Sequence, residues 1–223
     1  MPARLRPTAP IAPEAILVGD PGRALLLAQE LLEQPKMSNH ARGLWGYSGS
    51  TPEGRALTIQ STGIGGPSAA LVLADLAELG VKRAIRVGTC VALDKGLALG
   101  QLLVVGEAIA VGGSASAFGA DPGASLPPDG GLAARLCDGL GDDAGRASVA
   151  SFDDHPPSSG PERAVAAEMQ SAPLLARARG LGVGVAALLM VAESVAGDRL
   201  AKDELEDLEK TAGRAAARAL LSP

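Results

Sequence analysis

The sequence predicts a single α/β domain with a central, mixed and twisted β-sheet that is flanked by helices on both faces. Short apolar runs alternate along the chain with segments of helical periodicity, which is typical of strands connected by helices. Glycine-rich turns stand at the joints between these segments. Neither an internal repeat nor a linker divides the 223 residues, so residues 1–223 are predicted to form one domain.

The first part of the chain contains a proline-rich segment and two strand–turn–helix units. Residues 1–13 have no periodic pattern and are predicted to form an extended N-terminal segment. In each following unit, an apolar strand runs into a glycine turn and then into a helix with Leu or Ala at helical spacing. The predicted elements are strand 15–18, helix 24–33, strands 44–48 and 56–60, helix 68–79 and strand 84–87.

The second part of the chain contains a long stretch without periodicity. Residues 112–131 are rich in Gly, Ala, Ser and Pro and predict a long loop, of the kind that forms lids. Phe118 lies in this loop, either as a lid contact or as an aromatic ring packed onto the surface. The other predicted elements are strand 102–111, helix 132–140, strand 147–152, helix 165–181, strand 183–191 and helix 200–221.

The composition limits how the core and a binding pocket can be built. The chain is 47% hydrophobic, which excludes a disordered protein, but only 2% aromatic. The core must therefore consist of Ala, Val, Leu and Ile. A pocket for a flat ring has few aromatic side chains on which the ring could stack, because the whole set is Trp45, Tyr47, Phe118 and Phe152.

Charge and cysteine content exclude several function classes. With 20 basic and 25 acidic residues and no basic run, the chain is not expected to bind nucleic acid or a membrane. Two cysteines and two histidines argue against a metal site of the Cys/His type. No apolar run has the length of a membrane span, and residues 1–16 do not resemble a signal peptide. We expect a soluble, cytoplasmic protein.

Two glycine-rich turns, 19–23 and 63–68, stand between a predicted strand and a predicted helix. Such turns present backbone N–H groups at a helix N-terminus, which favours anions such as phosphate. The second turn matches a dinucleotide-binding fingerprint only in part. Ser68 stands at its third glycine, and Lys82 and Arg83 stand where an acidic residue is expected. For both turns, ordinary turn chemistry is the alternative.

Arginines adjoin these turns. Arg86 lies inside the apolar strand 84–87, where a guanidinium is costly to bury without an anionic partner. That partner is either a ligand or an acidic side chain in a buried ion pair. Arg23 follows the first turn directly. Arg42 lies in a polar segment, where a solvated loop arginine is the alternative.

Four motifs in this order carry a resemblance to a known family. They are Gly19-Asp20-Pro21-Gly22-Arg23, Ser61-Thr62-Gly63-Ile64-Gly65-Gly66-Pro67-Ser68, Arg86-Val87-Gly88-Thr89-Cys90 and Ala167-Glu168-Met169-Gln170-Ser171. The series resembles that of the nucleoside phosphorylase I family, which includes uridine phosphorylases and hexameric bacterial purine nucleoside phosphorylases. The second motif is most similar to the uridine phosphorylase version. The resemblance runs from about residue 16 to the C-terminal helix.

The resemblance implies a site for phosphate as co-substrate, without a metal or another cofactor. The implied phosphate ligands are Gly19, Arg23, Arg86 and Thr89, joined by Arg42 from a neighbouring subunit. That sharing implies a homo-oligomer, either a dimer or a hexamer built as a trimer of dimers. Phosphate would attack the anomeric carbon of a nucleoside and give ribose 1-phosphate, or a deoxy analogue, and a free base. Arg23 and Arg86 would then also be catalytic, by placing the anion against an oxocarbenium-like transition state.

The resemblance also implies a nucleoside site, with departures from the family pattern. The implied ribose-binding residues are Glu168, Met169 and Gln170, and the implied base-binding residues are Cys90, Val91, Phe152 and His155. Gln170 replaces a carboxylate, and Val91 replaces a glycine. Glu193 stands where purine members carry a catalytic aspartate, so it is either a catalytic residue or a solvated carboxylate at a strand end.

Three functions follow from these observations. The leading hypothesis is a phosphate-dependent nucleoside phosphorylase closest to uridine phosphorylase, with a purine nucleoside phosphorylase as the alternative. Gln170, Val91 and the lack of an N-terminal histidine favour a degenerate member that binds a nucleoside or phosphate without turnover. A hydrolytic nucleosidase of the same fold is disfavoured, because hydrolysis does not need three arginines.

Overall fold

The predicted alternation of strands and helices is confirmed by the computed structural model, which describes residues 2–141, 144–155 and 159–222. The helices in this part of the chain are α1 (Pro21–Leu31), α2 (Gly65–Glu78), α3 (Gly130–Leu140), α4 (Ser171–Leu181) and α5 (Lys202–Leu221). The strands are β1 (Glu14–Val18), β2 (Glu33–Asn39), β3 (Gly46–Ser50), β4 (Ala56–Ser61), β5 (Arg83–Ala92), β6 (Leu102–Ala110), β7 (Ser125–Leu126), β8 (Ala144–Ser151), β9 (Ala166–Glu168) and β10 (Gly184–Ser194).

These strands form one mixed sheet, as predicted. Its order is β10-β6-β8-β9-β5-β1-β4-β3-β2, with β7 beside β6 and an additional pairing between β10 and β5. The pairs β1–β4, β1–β5 and β10–β5 are parallel, whereas β2, β3 and β4 pair antiparallel. Because β5 pairs with both β9 and β10, the strands β5, β10, β6, β8 and β9 close into a ring. The sequence pattern does not predict this closure.

Successive side chains of a strand point to opposite faces of the sheet, and the two faces have separate apolar layers. In β1, Leu17 joins the layer that contains α2 and α4, whereas Ile16 joins the layer that contains α1, α3 and α5. The helices therefore cover both faces. Alanine and glycine let α5 approach α1 closely, since a Cβ on Gly213 would lie 2.5 Å from Cδ2 of Leu27.

The structure differs from the predicted elements at two places. The strand β2 was not predicted, because it is a polar strand at the edge of the sheet, contains Pro35 and, within the described residues, pairs only with β3. Residues 165–181, predicted as one helix, contain β9 and then α4, which begins only at Ser171. A strand of three residues is too short to show a period of two.

The segment 112–131 is less irregular than the predicted loop. It contains a 3₁₀ turn at Ser116–Phe118, the strand β7 and the first residues of α3. Phe118 lies under the guanidinium of Arg177 from α4, at 5.5 Å from the ring centroid. That cation–π contact corresponds to the surface-packed alternative for this aromatic residue.

The N-terminal segment 2–13 has no helix or strand, and Asp75 of α2 anchors it. The carboxylate of Asp75 accepts hydrogen bonds from the backbone N–H groups of Arg4 at 2.5 Å and Leu5 at 2.8 Å. Burial by itself raises the pKa of Asp75, but the hydrogen bonds from Leu5 and Arg4 together outweigh it and lower the pKa. None of the helices in the described ranges combines the length and the apolar character needed to cross a bilayer.

Candidate active site

A cavity of about 520 Å³ lies at the carboxyl ends of the parallel strands β1, β4, β5 and β10. Ligand sites of α/β sheets form at this edge, because the loops that follow parallel strands meet there. Most of the predicted site residues come together in its wall. They are Gly19, Arg23, Arg86, Thr89, Cys90, Val91, His155, Glu168, Met169, Gln170 and Glu193.

Two predicted site residues lie outside this cavity. Phe152 packs in a small apolar cluster with Leu93 and Ala150, so its assignment to the base site needs correction. Arg42 lies on an exposed 3₁₀ turn with a φ of 60°, a backbone conformation that few residues other than glycine adopt. Its role in a neighbouring subunit stays a prediction.

The first glycine turn leads from β1 into α1. Asp20 is the N-cap of α1, and its carboxylate accepts a hydrogen bond from the backbone N–H of Arg23 at 2.8 Å. Pro21 follows as the first helical residue and has no N–H. The backbone N–H of Arg23 is therefore occupied by Asp20, and Arg23 offers its side chain rather than its backbone to a ligand.

Arg23 is held from behind by a residue that sequence reasoning did not identify. Its Nε donates to Oε1 of Glu209 at 2.7 Å, and about 9% of each side chain is exposed. Nη1 and Nη2 of Arg23 have no acceptor among the described residues, and Arg23 lines the cavity. The sequence does contain a signal for Glu209. This carboxylate lies beside Leu208 and one turn before Ala212, on the apolar stripe of α5.

Arg86 also has an acidic partner, so the buried-ion-pair alternative describes it correctly. Its Nη2 and Nε donate to Oε2 of Glu168 at 2.9 and 3.3 Å, with only 6% and 1% of the two side chains exposed. A Cβ on Gly88 would collide with the guanidinium, so the glycine makes room for Arg86. In the described chain, Nη1 of Arg86 has no protein acceptor.

Glu168 has no oxygen left for a sugar. Besides the guanidinium of Arg86, its carboxylate accepts from the backbone N–H groups of Gln170 and Ser171, each at 2.8 Å, and from the hydroxyl of Ser151. These donors use the lone pairs of both oxygens. The ribose contact implied for this side chain is thus replaced by a structural role, in which Glu168 joins β9, α4 and Arg86.

The side chain of Gln170 closes the second glycine turn. Its Nε2 donates to the carbonyl oxygens of Gly63 at 2.7 Å and Gly65 at 3.3 Å, and its Oε1 lies 3.2 Å from the hydroxyl of Thr62. The carboxylate of the family pattern could not make these contacts, because it cannot donate to two carbonyl groups. The replacement of the family's carboxylate by Gln170 is thus explained by the hydrogen bonds of the glycine turn rather than by contacts to a sugar.

The remaining wall is formed at the ends of β5 and β10. The thiol of Cys90 contacts the carbonyl oxygen of Met190 at 3.5 Å. Burial, supported by the charge of Glu168, raises the pKa of the Cys90 thiol to about 12, so this thiol stays neutral at physiological pH. Oε1 of Glu193 accepts from Nη2 of Arg199 at 2.9 Å, a pair that sequence reasoning did not identify.

The arrangement can bind an anion. Each cavity arginine keeps one edge on a buried carboxylate. Arg23 has both Nη groups left over and Arg86 has Nη1, and guanidinium N–H groups suit the recognition of phosphate. No group of three or more His, Cys, Asp or Glu side chains that could hold a metal ion occurs within the described ranges. Fold and site together define an α/β protein with an arginine-lined cavity at the carboxyl edge of a mixed sheet.

Comparison with known proteins identifies the family. Residues 13–221 match the model of the phosphorylase superfamily, and the chain therefore belongs to this family. This result confirms the resemblance that the motifs carry.

Similar curated proteins are purine nucleoside phosphorylases of the DeoD type. The protein of Oceanobacillus iheyensis is 44% identical over 86 residues, which are 38% of this chain and 36% of that protein. The proteins of Alkaliphilus metalliredigens and Clostridium novyi are 38% and 39% identical over 95 residues, which are 42% of this chain and 40% of each relative. The matched region thus spans 36% to 40% of the length of these relatives, none of which is named a uridine phosphorylase.

Proposed function

We propose that this protein is a purine nucleoside phosphorylase, which uses phosphate to cleave the N-glycosidic bond of a purine nucleoside. The observation that carries the proposal is the pair of buried arginines, Arg23 and Arg86, with Nη groups left over at one cavity. The purine substrate is supported by the names of the similar proteins. These names favour the purine alternative over the leading sequence-based hypothesis, which placed the chain closest to uridine phosphorylases.

Phosphate binding is assigned to the residues that we call the arginine half of the cavity, which are Gly19, Arg23, Arg86 and Thr89. The two guanidinium groups supply charge-assisted donors, and the hydroxyl of Thr89 supplies a neutral one. Glu168 and Glu209 hold the guanidinium groups by other atoms, so a phosphate dianion can bind without breaking either ion pair. Such fixed donors position the dianion for attack.

The nucleoside is assigned to the wall that we call the nucleoside half, which is formed by Cys90, Val91, His155, Glu168, Met169, Gln170 and Glu193. Glu168 and Gln170 shape this wall through hydrogen bonds to the protein rather than by holding the sugar. A phosphate oxygen forms a bond to the anomeric carbon while the bond from that carbon to the base breaks. The electron pair of the broken bond leaves with the base, which takes up a proton from water or from the carboxyl group of Glu193 acting as a general acid. Glu193 is assigned to this end of the reaction, because its carboxylate lines the cavity and is oriented by Arg199.

We further propose that the protein acts as a homo-oligomer in which Arg42 completes the phosphate site of a neighbour. Exposed apolar side chains lie along one face of α2 and its N-cap. They are Ile64, Pro67 and Leu71, which are three and four positions apart. Ile64 is 86% exposed at the rim of the cavity, and the nearby Trp45 is 37% exposed. A second copy on this face would bury these apolar side chains and bring its Arg42 towards the site.

The proposed reaction is tested with inosine, guanosine, adenosine and uridine, each assayed with and without inorganic phosphate. We expect release of the purine base only when phosphate is present, and no turnover of uridine. Purine release at an equal rate without phosphate would show a hydrolytic nucleosidase instead. Turnover of uridine alone would contradict the purine assignment.

A second candidate is a member that binds a purine nucleoside or phosphate without turnover. The observation in its favour is that Glu168 and Gln170, the polar side chains implied for ribose, hydrogen bond to the protein itself. Calorimetry with each nucleoside, combined with product analysis after long incubation, separates the two candidates. Binding of inosine together with the absence of hypoxanthine would favour this second one.

A further inference from the structure

Glu209 is a buried carboxylate that lies behind the cavity rather than in its wall. It stands in the middle of α5, is 7% exposed, and meets Nε of Arg23 at 2.7 Å. It is not among the residues that line the cavity. A carboxylate at such a place is costly unless it is paired, so the contact with Arg23 accounts for its presence on an apolar helix face.

The packing of two helices sets this contact. Arg23 and Leu27 are one turn apart on α1, and Glu209 and Gly213 are one turn apart on α5. Leu27 packs directly on Gly213, and the small glycine lets the two helices approach. The position of the Glu209 carboxylate relative to Arg23 is therefore set by a rigid apolar contact one turn away.

The guanidinium of Arg23 is thereby divided between two tasks. Nε points to Glu209, and the two Nη groups, which lack an acceptor in the described part of the chain, belong to a residue that lines the cavity. An unheld arginine side chain has many rotamers, and acidic groups such as Asp20 and Glu193 also line this cavity. Glu209 selects the rotamer in which the Nη edge stays available.

We infer that Glu209 is a positioning residue for phosphate, although it does not contact the phosphate. Glu209 holds Nε of Arg23, so that the Nη edge of this arginine faces the anion. The inference rests on the proposed function, since it names how the phosphate site of that reaction is kept in shape. According to this inference, α5 contributes to the affinity for phosphate and does not contribute to the affinity for the nucleoside.

A structural role would look different. Arg214 of α5 and Glu30 of α1 form a second ion pair between the same two helices, at 2.6 Å. This pair is more exposed, and neither of its residues lines the cavity. Arg214→Ala therefore provides a matched control that removes a contact between the helices without affecting Arg23.

The test compares three variants at Glu209 in the chain of 223 residues. Glu209→Ala removes the acceptor and should raise the Kd and the KM for phosphate about 10- to 100-fold, as expected for one lost charge-assisted hydrogen bond. Glu209→Asp keeps the charge, but its side chain is one methylene shorter, so the carboxylate lies farther from Arg23. This variant should also raise the Kd and the KM for phosphate. Glu209→Gln keeps an acceptor at the same place and should stay within about threefold of the wild type. The KM for inosine should change in none of them.

The outcomes separate this inference from the proposed function. Calorimetry with inorganic phosphate measures the Kd even when no nucleoside is turned over, so a wild type that binds phosphate without turnover contradicts only the reaction. An unchanged Kd in Glu209→Asp, an equal rise of the KM for inosine, or the same effect in Arg214→Ala would overturn the inference. A wild type that does not bind inorganic phosphate would overturn both. If Glu209→Ala does not fold, the opposite expectations for Asp and Gln decide the question.

Discussion

The two halves of the cavity use the same kinds of polar group in opposite ways. In the arginine half, Arg23 and Arg86 are each tied to a buried carboxylate and still have Nη groups without a protein acceptor in the described ranges. In the nucleoside half, Glu168 and Gln170 use their donors and acceptors on the protein itself. A ligand therefore finds unused hydrogen-bonding capacity mainly at the arginines.

The difference comes from the number of hydrogen bonds that each side chain can make. A guanidinium has five N–H donors, so one carboxylate cannot saturate it. A carboxylate has about four acceptor sites, and Arg86, Ser151, Gln170 and Ser171 fill those of Glu168. The comparison teaches that a buried ion pair can still take part in ligand binding, and that the donors left for the ligand are those of the arginine.

Removal of Arg86 is expected to have the largest effect. Arg86→Ala deletes phosphate donors and leaves Glu168 as a buried charge without its counter-ion, which costs about 3–5 kcal/mol of unfolding free energy. Phosphate-dependent turnover should fall by about 10²–10³. Urea unfolding and steady-state kinetics measure the two effects.

A control for Arg86 lies on the same strand. Arg83 pairs with Glu14 at 2.9 Å but is one-third exposed, so Arg83→Ala should cost about 0–1 kcal/mol and leave turnover unchanged. Unchanged turnover in Arg86→Ala would show that the arginine half is not the phosphate site.

Gln170→Glu is expected to have an intermediate effect. The change restores the carboxylate of the family pattern, but here it removes two donor contacts and places a negative charge against the carbonyl groups of Gly63 and Gly65. We expect a loss of about 1–3 kcal/mol in stability and a higher KM for inosine. Gln101→Glu, at an amide outside the cavity whose oxygen accepts from Ala98, is the control and should change neither quantity. A lower KM in Gln170→Glu would show that this side chain binds the sugar.

Asp75 extends the comparison to a carboxylate outside the cavity whose hydrogen bonds only stabilise the protein. Because its pKa is lowered in the folded state, its contribution is present above the unfolded pKa of about 3.9 and is lost as the pH falls through the folded value. Asp75→Asn should therefore unfold at a lower urea concentration at pH 7, with a smaller difference from the wild type near pH 2. The loss at pH 7 should be roughly 1 kcal/mol for each hydrogen bond weakened. Turnover at pH 7 should not change, and a changed KM for phosphate would contradict a purely stabilising role.

The smallest effect is expected at Cys90. Its thiol lines the nucleoside half but stays neutral, because burial raises its pKa to about 12. Cys90→Ala should leave turnover within about twofold and the pH profile between pH 6 and 9 unchanged, as expected for a thiol that is not a nucleophile. If turnover of the wild type falls at low pH and this fall is absent in Cys90→Ala, the thiol titrates during the reaction.

The sequence predicts helices well where one face is buried, because that burial leaves a helical period, and it predicts the central strands well where both faces are buried, because that burial leaves a short continuous apolar run. The helices α1, α2, α3 and α5 and the strands β1, β4 and β6 were predicted within a few residues of their bounds. The strands β2 and β9 lack such a pattern. The former is polar and lies at an edge, and the latter is only three residues long and pairs with residues far away in the chain.

By itself, the sequence determined the fold class, the order of the elements apart from β2, the short β7 and β9, and the four motifs that meet at one edge of the sheet. Only the tertiary structure decided how each polar group in those motifs is used. Arg23 and Glu209 are 186 positions apart, and Arg86 and Glu168 are 82 apart. No local period records such pairs, because the packing of helices and strands brings them together and the limited number of donors and acceptors then determines which groups remain for a ligand.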